Sequence, residues 1–124
     1  MALAIMGRPK GAEMKITVIL AILGLAAASS AYGKERAEVC AKYRTSSGWS
    51  QAYKIDATII KGYELNQATG SYNYQGYDTY VVIFWGQDEA SVIQMDSPYV
   101  TYMDEAGYDQ QGRAWQIHKG SFCI

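Results

Sequence analysis

His118 is the only histidine in the chain, and histidine is the side chain best suited to move a proton near neutral pH. A general base needs a partner within hydrogen-bond reach. No Ser, Cys or Asp stands at a spacing that names one, and a hydrolytic reading would have to bring Asp96 or Asp109 to it. The surrounding segment RAWQIHK, Arg113 to Lys119, places Trp115 and Ile117 on one face and Ala114, Gln116 and His118 on the other. The plainer expectation is a hydrogen-bonded surface histidine. Two adjacent acid pairs, Asp88-Glu89 and Asp104-Glu105, raise the two-carboxylate chemistry of glycoside hydrolysis, but neighbouring acids in turn sequences are usually solvated. The stretch from Asp104 is no calcium loop, because Ala106 and Tyr108 fall where side-chain oxygens are required. There is no phosphate-binding glycine loop, H-E-x-x-H or G-x-S-x-G. No catalytic residue, metal site or cofactor is assigned, and the sequence favours a binder over an enzyme.

Cys40 and Cys123 are the only cysteines. Their number and separation rule out a C-x-x-C redox pair and a zinc cluster. An even count behind an export signal reads as a disulfide, which would tie the first strand of the fold to the last.

Two further features point to recognition. Between Lys61 and Arg113 lie eight acids and no basic residue, while six of the eight basic residues after Gly33 fall within 34–61. Residues 34–124 carry a net charge of −3, which is no nucleic-acid footprint. Held together in space, the acids would steer a basic partner. Tyrosine is the second feature: Tyr72, Tyr74 and Tyr77 sit among Gly, Asn, Ser and Gln, the composition of a recognition surface. The candidate surface therefore combines Tyr72, Tyr74 and Tyr77 with Asp88, Glu89, Asp104 and Glu105. Its expected ligand is a protein, with a glycan as the second class on which tyrosines stack. A small secreted hydrolase of cell-wall glycan or nucleic acid is the alternative function, and a self-assembling envelope component using a free strand edge is the third.

The elements that must position these residues are strands. QAYKIDATIIK, residues 51–61, alternates, with Tyr53, Ile55, Ala57 and Ile59 on one face, until Gly62 breaks it. YDTYVVIFW, residues 77–85, is apolar on both faces from Tyr80 onward, which predicts a central strand covered on two sides. With residues 90–95 it forms a hairpin across Gly86 to Glu89. A strand over 39–45 opens the domain, YVTYM (99–103) reads as another, and residues 113–119 close it. Residues 66–76 read as a loop or ragged edge strand, and 104–112 as turns. The fold class is all-β, a small antiparallel barrel or sandwich of about five to seven strands. Ahead of it, Lys15 precedes a 13-residue stretch, Ile16 to Ala28, that is apolar apart from Thr17 and Gly24, and small residues follow. That is the pattern of a signal peptide over residues 1–33, with residues 1–13 an upstream extension. Cleavage near Ala31 to Gly33 would release residues 34–124 as one secreted or periplasmic domain with no membrane span.

Overall fold

Strand alternation closes on itself in the computed structural model, which describes residues 34–123; the expected leader, residues 1–33, lies outside them. The elements are β1 (Glu35–Thr45), β2 (Gly48–Trp49), β3 (Tyr53–Lys61), α1 (Gly62–Thr69), β4 (Thr79–Gly86), β5 (Glu89–Met95), β6 (Glu105–Tyr108) and β7 (Ala114–Lys119). Strands β1-β3-β4-β5-β6-β7 pair antiparallel in that order, and β7 pairs back onto β1, with Ala41 opposite Ile117. The result is a closed six-stranded barrel, with β2 added to β1 at Arg44 and Thr45. Closure leaves no strand of the barrel with a neighbour on one side only, although the β5–β6 ladder is short, Gln94 with Tyr108 and Met95 with Gly107, and the Gln110 side chain meets Val92 N–H and the Ala90 carbonyl beyond it.

Period-two alternation sorts the apolar residues into two layers. The barrel interior holds Val39, Ala41, Ala57, Ile59, Val81, Ile83, Trp85, Ile93, Met95, Trp115 and Ile117. The outer faces of β4 and β5 hold Tyr80, Val82, Ala90 and Val92, covered with Ile60 by Leu65 of α1. Strand β4 is apolar on both sides for this reason. Gly107 of β6 faces the filled interior, where a β-carbon would lie 2.8 Å from Met95 Sδ and 2.9 Å from Ile93 Cγ2.

The Cys40–Cys123 disulfide is formed, with the two Cα atoms 5.4 Å apart. Val39 and Ala41 point inward, so Cys40 points outward, yet it is buried. The C-terminal tail crosses the outside of the β1–β7 seam to reach it. In the chain-entropy picture, a tie over 83 residues stabilises by roughly 4–5 kcal/mol at most.

Three elements differ from the sequence expectation. Residues 62–69 form a helix, where the sequence expectation stops the strand at Gly62 and reads a loop or ragged edge strand from residue 66. It starts at Lys61 without a side-chain cap. It ends at Gly70 in the left-handed conformation, where Ser71 N–H donates to the Asn66 carbonyl. The YVTYM segment is not a strand. The Ser97 hydroxyl accepts from Tyr99 N–H and the Thr101 hydroxyl from Met103 N–H, so these backbone groups are diverted into local turns. The ladder position goes instead to β6, within the stretch expected to be turns.

Candidate functional site

Antiparallel neighbours send successive connections to opposite ends of the barrel. Residues 46–52, 87–88 and 109–113 link strands at one end, which we call the hairpin end. Residues 62–78, 96–104 and the tail 120–123 lie at the other, the long-connection end. Of the nine exposed large apolar side chains among the described residues, two, Trp49 and Tyr108, lie toward the hairpin end. Tyr63, Tyr72, Tyr77, Tyr99, Tyr102, Met103 and Phe122 all project from the long connections.

The loop after α1 is held firmly. Gly62 approaches it so closely that a β-carbon there would overlap the Gln75 carbonyl oxygen. Asn66 clamps Tyr74 twice, accepting its N–H at 3.0 Å and donating to its carbonyl at 2.9 Å. Gln75 N–H donates to the Tyr80 hydroxyl at 2.9 Å, and Tyr63 N–H to the Gly76 carbonyl at 3.0 Å. Tyr74 folds back edge-on to Tyr80, with ring centroids 5.3 Å apart. Burial pushes both of their hydroxyl pKa values up. Tyr74 is thus a packing residue, whereas Tyr72 and Tyr77 are 98% and 92% exposed.

The second long connection, residues 96–104, is pinned as well. Lys119 N–H donates to the Thr101 carbonyl at 2.7 Å, the Thr79 hydroxyl to the Pro98 carbonyl at 2.7 Å, and the Thr101 hydroxyl to Glu105 at 3.1 Å. Asp104 meets His118 Nδ1 at 2.7 Å, and His118 Nε2 meets the Phe122 carbonyl at 3.1 Å. A carbonyl and a carboxylate both accept, so an imidazole protonated on both nitrogens satisfies the two contacts together. His118 therefore clasps the loop to the tail. Beside it runs an open groove of about 780 Å³ lined by Lys42, Gln116, Tyr102, Met103 and Phe122 among others.

The seven residues of the expected surface do not come together. Tyr72, Tyr77, Asp104 and Glu105 belong to the long-connection end, and Tyr74 is absorbed by packing. Asp88 and Glu89 sit in the β4–β5 turn at the hairpin end, separated from Tyr77 by the length of β4, roughly 26 Å at about 3.3 Å per residue. The acid run is likewise dispersed. Asp109 is buried, accepting from Gln111 N–H, Arg113 N–H and the Trp115 indole at 2.8–2.9 Å. Asp78 accepts from the Gln94 amide at 2.7 Å. The histidine's partner is Asp104, not Asp96 or Asp109. Sequence reasoning missed Tyr99, Tyr102 and Met103, whose segment with Val100 and Thr101 reads as a strand, and Phe122, which gives no signal of its own beside Cys123. Among the described residues, no group of three or more His, Cys, Asp or Glu is placed to hold a metal ion. No helix there is long and apolar enough to cross a membrane.

Fold and surface together define a class: a disulfide-tied, filled six-stranded antiparallel barrel whose long connections display aromatic side chains at one end. Comparison with protein-family models, with curated proteins and with solved structures returned no match in any of the three.

Proposed function

We propose that this chain is an exported, non-catalytic binding or inhibitor protein that meets a protein partner with the long-connection end of its barrel. The observation that carries the reading is that, among the described residues, seven of the nine exposed large apolar side chains belong to the helix, loops and tail of the long connections, segments fixed by backbone hydrogen bonds. Exposed apolar side chains gathered on one set of connections are a feature of interaction surfaces. Rigid tyrosines offer contact area at low entropic cost. Asp96, Asp104 and Glu105 lie on the same end and suit a partner with basic residues around an apolar centre. The filled interior leaves the outer surface as the place for recognition.

The alternative of a hydrolase finds one supporting contact, His118 with Asp104, beside a groove. Against it, His118 Nε2, the nitrogen that would face a substrate, is held by the Phe122 carbonyl. Self-assembly through a strand edge finds no strand of the barrel without neighbours on both sides, and the added strand β2 is two residues long.

The test is affinity capture from the native envelope at low and high salt. We expect a partner that is retained by the wild type, weakened by salt, unaffected by Asp88→Asn, and lost with Tyr72→Ser combined with Tyr77→Ser. Capture that is indifferent to both tyrosines counts against the reading.

A further inference from the structure

Glu64 is out of place. It lies in the first turn of α1 with 5% of its surface exposed, and neither carboxylate oxygen has a hydrogen-bond partner among the described residues. A helix N-terminus favours an acid, but a buried carboxylate without a bond is costly and normally has a counter-charge. Burial raises its pKa, and the charge of Lys34 and the Lys61 backbone amide draw it back down without closing a bond. The Lys61 ammonium is engaged elsewhere, donating to the Thr79 hydroxyl at 3.0 Å.

The missing partner has a candidate in the chain itself. In the β1–β3 ladder Glu35 stands opposite Ile59. Continuing that register by one residue sets Lys34 opposite Ile60, the second-last residue of β3 and four before Glu64. The sequence leaves two cleavage positions open, after Ala31 or after Gly33. We propose that the leader is removed after Gly33 and that the new α-ammonium of Lys34 becomes the counter-charge of Glu64. This rests on the export reading above. Maturation would then complete the fold at its long-connection end: one peptide bond is hydrolysed with one water, and the amine released is protonated at neutral pH.

The sign of the pH dependence follows. A carboxyl whose folded pKa is raised contributes stability below the ordinary carboxylate range and loses it as pH rises through the raised value. An ammonium beside it holds the charged form and removes that loss.

The test has two parts. The full chain is produced in an exporting host and its mature N-terminus is sequenced. Lys34 as the first residue is expected. Tyr32 as the first residue overturns this proposal and leaves export standing, whereas an uncleaved leader overturns both. Second, mature proteins starting at Lys34 and at Tyr32 are melted at pH 7, each with Glu64 and with Glu64→Gln. The substitution is expected to lower the midpoint in the Lys34 form and raise it in the Tyr32 form. The two effects should differ by roughly 4–8 °C. Lys34→Met, which keeps the α-amine, should preserve the difference. Equal effects of Glu64→Gln in the two forms contradict the pairing.

Discussion

The two ends of the barrel use the same residue types in opposite directions. At the hairpin end the aromatics point inward and plug the barrel. Tyr43 packs on Trp115 at 5.3 Å, Tyr53 on Trp85 at 5.9 Å, and Trp85 on Trp115 at 6.3 Å between centroids. Both indoles are satisfied, Trp85 by Ser91 and Trp115 by Asp109, each at 2.9 Å. Arg113 lies over the Tyr43 ring. At the long-connection end the interior is closed by aliphatic residues, Val100 among them, and apart from the packed pair Tyr74 and Tyr80 the aromatics are exposed. One end therefore carries stability and the other carries display. The display end is kept in place by hydrogen bonds from its own loops and by the one packed pair, Tyr74 on Tyr80.

Substitutions separate these roles. Trp115→Ala should cost about 3–5 kcal/mol in chemical denaturation, since it opens a cavity and strips the indole donor from buried Asp109. Removing the disulfide as Cys40→Ser with Cys123→Ser should cost roughly 2–5 kcal/mol. It should also free the tail, visible as faster amide exchange at residues 118–122. Asp104→Asn weakens the His118 clasp and should cost about 1 kcal/mol, with the change in exchange confined to residues 101–104 and 118–122. Tyr72→Ser with Tyr77→Ser should move stability by less than about 0.5 kcal/mol each, while removing partner capture. A large loss of stability from this last pair would mean that the display end is part of the core after all.

How much of this arrangement is legible in the sequence depends on where each element's partners lie. β3 and β7 are readable because a half-buried strand imprints period two on its own residues, as in Tyr53, Ile55, Ala57 and Ile59; β4 is readable as an apolar run covered on both sides, and β5 as its hairpin partner. The disulfide is readable from the cysteine count and the leader pattern. Helix α1 is not, because it buries mainly Leu65 and Glu64 and lacks a capping side chain. β6 is hidden because Gly107 looks like a turn residue until Trp115 is known to stand opposite it. At the site, Tyr72 and Tyr77 are evident from their polar surroundings. Asp104 as the partner of His118 is not, since the contact is made by a loop folding over the barrel end. Whether Asp88 and Glu89 join the tyrosines depends on strand direction, and only the topology sets them at opposite ends.

The most direct measurement is an amide-exchange footprint of the protein held by its captured partner. The account predicts added protection over residues 70–78 and 99–104, with residues 46–49 and 87–89 unchanged. Protection confined to the hairpin end would contradict it.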